Sequence, residues 1–243
     1  MSQNSEKGRV LACSDIHGNL KLFNKLKEYL TSEDKIFFLG DATDRGSEGY
    51  EIMKAIARDV RFTYLKGNHE DMLYKAGVNY FQNDYTGKDY HLLVQNGGYD
   101  TFNDLIADPA GQQWCNYIRR LPTHAEYTNA NGITFFLSHA GFNPEVDEED
   151  NIVFPSDYDL IWDREHYYNY FDYEGRFTNH IVVHGHTPCL YLAEDLGQSH
   201  WTKTPGPLWY DNRSKVCLDA MSFKTNMLYL LNLDTLTHEI ITI

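Results

Sequence analysis

Five short segments built from His, Asp and Asn recur along this chain, and each directly follows an apolar run suited to a buried strand. They are Asp15-Ile16-His17-Gly18, Gly40-Asp41-Ala42-Thr43-Asp44-Arg45-Gly46, Gly67-Asn68-His69-Glu70, Ser138-His139-Ala140-Gly141 and Gly185-His186-Thr187. The runs before them are Val10-Leu11-Ala12, Ile36-Phe37-Phe38-Leu39, Phe62-Thr63-Tyr64-Leu65, Phe135-Phe136-Leu137 and Ile181-Val182-Val183. Every motif therefore falls where a strand ends and a loop begins. In open α/β sheets those carboxyl ends are where ligands bind. Five such motifs in one structural context point to one shared site.

The first 76 residues alternate strand and helix patterns: strands at Val10–Ser14, Lys35–Leu39 and Arg61–Leu65, helices over Asn19–Leu30 and Gly49–Arg58. That alternation predicts βαβ units with parallel pairing. Residues 79–123 read as less regular, with one helix over Gln112–Arg120 stopped by Pro122. The texture then turns to β. His124–Thr128 and Ile133–Ser138 flank Asn129-Ala130-Asn131-Gly132, a hairpin signal, and strands follow at Val216–Asp219, Met227–Leu233 and Glu239–Ile243. The charge run Glu145–Asp150 reads as a solvated loop and the Tyr-rich segment His166–Tyr173 as a cap. With 243 residues, 42% of them hydrophobic, the chain suits one α/β domain over 8–243, made of two packed sheets flanked by helices, with residues 1–7 a short polar extension.

Composition narrows the partners. Lys and Arg total 21 against 35 Asp and Glu, a formal charge of −14, which disfavours nucleic acid and anionic membranes. No secretory pattern and no apolar stretch of about 20 residues is found. Four scattered cysteines form neither a zinc spacing nor a disulfide framework. A reduced, cytoplasmic protein, monomeric by default, is the expectation.

The residue types define the chemistry. Asp15 and His17, two apart, are expected to share one side of an extended segment and bind one ion. Asp41 is placed to bridge to a second ion, completed by Asn68, His139 and His186. Carboxylate, imidazole and amide oxygen without thiolate suit Mn²⁺, Fe or Zn²⁺. Two such ions roughly 3.5–4 Å apart can activate water and clamp a phosphoryl group, so phosphoester hydrolysis is the natural reaction. His69 would face the leaving group as general acid, with Asp44 fixing its tautomer. Arg45 and Arg164 (in Trp162-Asp163-Arg164) are candidates for gripping phosphate oxygens.

In this order the motifs resemble the calcineurin-like metallophosphoesterases, and within them the phosphoprotein phosphatase family in its short bacterial and phage, lambda-phosphatase-like branch. The likeness runs from about Val10 to Leu233 and also takes in Asn96-Gly97-Gly98. It implies a four-layer αββα sandwich and the same assignment of ligands, acid and phosphate binders. Pro188 stands where many generic members place a last metal-binding His, which favours the phosphatase branch. Thr43 and Ser47 depart from that branch's frequent Val and Pro without touching a proposed ligand. His184 is expected in the core or behind the ligands, and His91, His124, His166, His180, His200 and His238 match no motif.

The resulting expectation is a metal-dependent protein phosphatase acting on phospho-Ser/Thr, and within reach of phospho-Tyr, in a phosphoprotein or phosphopeptide. A dinucleoside polyphosphate hydrolase of the diadenosine tetraphosphate type is the alternative, since a related branch shares these motifs. A phosphate-binding protein without turnover would lack a ligand or His69; here every role is filled.

Overall fold

Alternation along the strands sorts apolar side chains into separate cores, and this layering positions the strand ends. The computed structural model describes residues 8–84, 87–143, 145–149, 152–167, 179–198 and 200–243. Most of the Tyr-rich 166–173 segment and the end of the 145–150 charge run lie outside them.

In chain order, β1 (Val10–Cys13), α1 (Leu20–Tyr29), β2 (Lys35–Phe38), α2 (Gly49–Arg58) and β3 (Phe62–Tyr64) form the expected βαβ units. α1 is capped by Asn19, whose Oδ1 accepts the Leu22 N–H at 3.1 Å, and it buries Leu22, Phe23 and Leu26. α2 buries Ile52, Met53 and Ile56 at helical spacing. Truncating one of these to Ala costs about 2–5 kcal/mol.

Residues 79–123, read as less regular with one helix, are more helical than that: after α3 (Asn68–Phe81) come α4 (Lys88–Gln95) and α5 (Tyr99–Ala107), before α6 (Gly111–Arg119), which matches the expected helix. These segments carry Gly, Asn and aromatic residues of modest helix propensity. They are helical because they pack: Leu73, Ala76, Leu93, Phe102, Leu105 and Ile118 share the core beneath the first sheet.

The β-rich half follows, with β4 (His124–Thr128) and β5 (Thr134–Ser138) joined by the Asn129–Gly132 turn. Among the described residues the further strands and α-helices are β6 (Glu145–Val146), β7 (Ile152–Val153), α7 (Asp159–Trp162), β8 (His180–His184), α8 (Cys189–Asp195), β9 (Leu208–Tyr210), β10 (Lys215–Cys217), α9 (Ser222–Thr225), β11 (Met227–Asn232) and β12 (His238–Thr242). The charge run thus begins in a short strand, β6 pairing with β7.

Two mixed five-stranded sheets result, ordered β12-β11-β1-β2-β3 and β4-β5-β8-β10-β9. β1, β2 and β3 run parallel, as do β5, β8 and β10. Between the sheets lie Ala12, Phe135, Leu137, Ile181, Val183 and Leu231. The alternate residues turn outward: Leu11 and Cys13 meet α1–α6, while Phe136 and Val182 meet Leu160 of α7. Helix, sheet, sheet, helix is the expected four-layer order. All four cysteines are buried and unpaired, and among the described residues no helix is long and apolar enough to cross a membrane.

Candidate metal centre

Where β1 ends the chain does not continue extended. Asp15 (φ 54°) and His17 (φ 47°) both take the left-handed region, so the expectation that extended backbone puts them on one side is corrected. A tight turn does it instead, tied by backbone bonds from the N–H groups of Asp15, His17 and Gly18 to the carbonyls of Gly40, Asp41 and Ala42 at 2.9–3.1 Å. Asp41, Asp44, Arg45 and His186 are also left-handed, making six of the ten proposed site residues. Asp and His tolerate this region better than most. Each such residue still costs of order 1–3 kcal/mol and persists only where its surroundings fix it.

Asp41 stands at the centre and its two oxygens face different partners. Oδ2 lies 3.6 Å from His17 Nε2 and 3.8 Å from His69 Nε2; Oδ1 lies 3.4 Å from His139 Nε2. Asp15 Oδ1 is 3.7 Å from His17 Nε2. Asn68 Oδ1 sits 2.9 Å from His139 Nε2 and 3.0 Å from His186 Nδ1. The group Asp15, Asp41 and His139 and the group His17, Asp41 and His69 each gather their donor atoms closely enough for one ion. His69 in the second group has a competing partner, described below.

Whether a cation fits can be judged from the donors themselves. The His17 Nδ1–H donates to Thr43 O at 3.0 Å and the His139 Nδ1–H to Leu39 O at 2.7 Å, which aims each Nε2 at the centre. Asp15 Oδ1, His17 Nε2 and His186 Nε2 are buried and lack a hydrogen-bond partner among the described residues. Buried polar atoms are otherwise almost always bonded. His139 Nε2 is surrounded by oxygens, an arrangement that a proton or a metal cation makes favourable. Ligands about 2.1 Å from one ion stand roughly 3.0–3.5 Å apart, close to the spacings here. The residues fit a pair of divalent ions.

The electrostatics agree. Burial pushes the Asp15 carboxyl up to about 6. For Asp41 burial acts in the same sense but is outweighed by His139 and His69, which hold it well below the carboxylate range. Burial works to lower His139, yet Asp41 and Asp15 carry it up to about 9. Burial, with His69 beside His17 and His139 beside His186, holds His17 and His186 well below the ordinary imidazole value, neutral and ready to ligate.

His69 turns its Nδ1 away from this centre to Asp44 Oδ2 at 2.7 Å, and its Nε2 accepts from Arg45 Nη2 at 3.2 Å. Burial would lower its pKa, but Asp41 and the Asp44 hydrogen bond together raise it. The Arg45 N–H bonds Gly97 O at 2.9 Å, which explains the Asn96-Gly97-Gly98 segment: it shapes the backbone under Arg45. Arg164 is exposed, with its charge acting on His186.

Gly67 occupies the N-cap of α3, and Asn68 begins that helix with its amide oxygen turned to the two histidines. A side chain at Gly67 would collide with Asp41 Oδ1, and one at Gly185 with Asp15 Oδ2, so only glycine allows these close approaches.

Two residues with no assigned role are also built into the site. Glu70 accepts the N–H groups of Asp41 (2.7 Å), Gly67 (2.9 Å), Ala42 (3.0 Å) and Thr43 (3.3 Å), clamping the loop that carries Asp41. A Glu three positions after a helix cap is a signal the sequence did contain. Phe223, in α9, has its ring 4.7 Å from the Arg45 guanidinium and edge-on to His17 at 5.7 Å between centroids. No motif marked it. His184 lies buried behind the candidate ligands, Nε2 to Tyr210 OH at 2.7 Å, and His166 reaches the same hydroxyl at 3.1 Å. His180 stacks on Phe136 and His124 on Phe154, both packing roles.

Fold and site together define a calcineurin-like phosphoesterase. Residues 8–217 match that family, and the chain belongs to it, a hydrolase of phosphoesters. No curated protein matches it in sequence. Among solved structures it is similar to a Saccharomyces cerevisiae protein serine/threonine phosphatase with similarity to human phosphatase PP5 (TM-score 0.60, 14% identity, covering 99% of this chain and 82% of that one). A candidate diadenosine tetraphosphatase is also similar (TM-score 0.56, 15% identity, 97% and 94%). So is the cold-active protein-tyrosine phosphatase of a psychrophilic Shewanella species (TM-score 0.52, 18% identity, 98% and 81%). At these identities the likeness carries the fold alone.

Proposed function

We propose that this chain is a metal-dependent protein phosphatase that hydrolyses phosphomonoesters, phospho-Ser/Thr foremost, with Asp15, His17, Asp41, Asn68, His139 and His186 as its metal ligands. The observation that carries this reading is the set of buried, unpartnered donors Asp15 Oδ1, His17 Nε2 and His186 Nε2 around Asp41. Two divalent ions held there, Mn²⁺ first and Fe or Zn²⁺ otherwise, would supply a water of lowered pKa and draw charge from the phosphoryl oxygens.

The chain's own residues do the rest. Asp41 offers one oxygen to each side and so sets the spacing between the two halves of the site. Arg45 and Arg164 bind the non-bridging oxygens through forked N–H donors. In the resting protein Arg45 donates to His69 Nε2, a bond that requires that nitrogen unprotonated. A phosphate oxygen is a stronger acceptor, so substrate binding turns the fork from His69 to the phosphate. His69 Nε2 is then free to take up a proton from solvent water, giving an imidazolium that Asp44 stabilises through Nδ1–H, and to deliver that proton to the departing alkoxide.

The test runs a phosphopeptide and diadenosine tetraphosphate in parallel, on protein stripped by chelation and then resupplied with Mn²⁺. Metal-dependent release of phosphate from the peptide is expected. Faster turnover of the dinucleotide would select the polyphosphate-hydrolase reading instead. Full turnover by protein shown metal-free by elemental analysis would overturn both.

A further inference from the structure

Phe223 comes to the site from an element with no motif. β10 ends at Cys217, and the chain turns through Asp219 to Met221, which is held in the left-handed region (φ 56°), unusual for a residue with a long side chain. The turn is fixed at several points. The Met221 N–H bonds Asp219 Oδ1 at 2.7 Å, Thr225 Oγ1 bonds Ala220 O at 2.8 Å, and Asn19 Nδ2 reaches Asn226 Oδ1 at 3.2 Å. Strained backbone held this firmly gathers at functional sites. What the turn delivers is the ring of Phe223, half-buried, over Arg45 and against the edge of His17.

The geometry points to Phe223 as a positioning residue for phosphate binding: its ring seats the Arg45 guanidinium so that the fork needs only to turn from His69 when the phosphoryl group arrives. This rests on the reading of Arg45 as a phosphate binder. A guanidinium over an aromatic face is attracted by the ring quadrupole and loses little hydration there. The left-handed backbone of Arg45, bonded to Gly97 O, fixes where its side chain starts; Phe223 fixes where it ends. With the central carbon seated 4.7 Å from the ring centroid, the terminal nitrogens can pass from His69 Nε2 to a phosphate oxygen without the side chain leaving the site. Without the ring, Arg45 would sample solvent-facing rotamers, and ordering it would weaken binding.

The experiment measures binding of inorganic phosphate by calorimetry to the Mn²⁺-loaded protein, together with kcat and KM on a phosphopeptide. The set is Phe223→Ala, Phe223→Leu, Phe223→Tyr, Arg45→Ala and the Arg45→Ala/Phe223→Ala pair, with thermal melts for each. Phe223→Ala should weaken phosphate binding by about 3- to 10-fold, the scale of a partly exposed cation–π contact, and raise KM more than it lowers kcat. Phe223→Tyr, which keeps the ring, should remain within about twofold of the parent, while Phe223→Leu should resemble the Ala variant. The double variant should bind no more weakly than Arg45→Ala, because Phe223 acts through Arg45. If Arg45→Ala weakens phosphate binding but Phe223→Ala does not, the positioning role is wrong. Full additivity in the pair, or equal rescue by Leu and Tyr, overturns it as well. If Arg45→Ala itself leaves phosphate binding unchanged, the assignment of Arg45 fails first and the role of Phe223 falls with it.

Discussion

His69 and Asp44 meet at 2.7 Å between Nδ1 and Oδ2, both buried, and the carboxylate thereby fixes which imidazole nitrogen faces the site. Nε2 is left facing the centre, 3.8 Å from Asp41 Oδ2, where the proposed role as general acid needs it. A general acid matters by roughly 10²- to 10⁴-fold, and only where the leaving group needs the proton. His69→Asn should therefore lower turnover of an alkyl phosphoester by that factor and of an activated aryl ester far less, with metal content unchanged. Asp44→Asn should show the same bias in weaker form. Equal losses on the two esters would remove His69 from the acid role.

The division of Asp41 between two sets of imidazoles gives a second expectation. Oδ1 faces His139 and Oδ2 faces His17, so Asp41→Asn weakens both halves of the site, whereas His17→Asn weakens one. Outer groups remain in place in each variant, and losses of 10- to 100-fold in affinity are about the scale on which even supporting residues act. Elemental analysis after dialysis should find fewer than one ion per chain for Asp41→Asn and about one for His17→Asn. Two ions retained by both would show that the ligand assignment is wrong.

Much of this was legible in the sequence because the signals are local. A strand pattern ending in Asp-X-His or Gly-Asn-His needs only a few adjacent residues to be recognised, and each of the five motifs does sit at a strand end. The helices α3, α4 and α5 were not legible, because their apolar spacing is broken by Gly77, Asn79 and Asn103 and becomes meaningful only against a shared core. Left-handed backbone was hidden for a different reason. The usual signals for it are Gly and Asn, whereas Asp15, His17 and Arg45 are held in it by bonds to distant loops and Met221 by its bond to Asp219. Phe223 follows from that last turn and from nothing local to itself.

Glu70 shows how the neighbouring loop is kept in that conformation. Its carboxylate receives N–H donors from Asp41, Ala42, Thr43 and Gly67, and the Thr43 hydroxyl as well, at 3.2 Å. Glu70→Gln preserves size but turns an NH₂ group toward some of those donors, leaving buried N–H groups unpaired at about 1–3 kcal/mol each. We expect a melting temperature lower by roughly 5–10 °C, on the basis of about 2–4 °C per kcal/mol for a domain of this size. Metal affinity should fall with it, since Asp41 loses its support. A Glu70→Gln protein with parental melting temperature and full metal content would show the clamp to be dispensable.

Asp34 ties the start of the first sheet to the end of α1 and carries a pH dependence independent of the site. Its carboxylate accepts the Arg9 N–H (2.9 Å) and the Thr31 N–H (2.8 Å), and pairs with the Arg9 guanidinium at 2.6 Å. Burial would raise its pKa, but the Arg9 and Thr31 hydrogen bonds outweigh that and hold it far below the carboxylate range. Because the folded value is depressed, the stabilisation is fully present above the unfolded value of about 3.9 and is lost as the pH falls from there through the folded one. Asp34→Asn keeps the shape and removes the charge. At pH 7 it should cost about 1–3 kcal/mol, the range for hydrogen bonds to a charged group. The measurement is the melting temperature of both proteins from pH 7 down to pH 3. The gap should be constant above about pH 5 and narrow steadily below pH 4, as the unfolded wild-type chain takes up a proton at Asp34 that the folded carboxylate does not. A gap of the same size at pH 3 as at pH 7 would mean that the Asp34 charge contributes nothing to the fold.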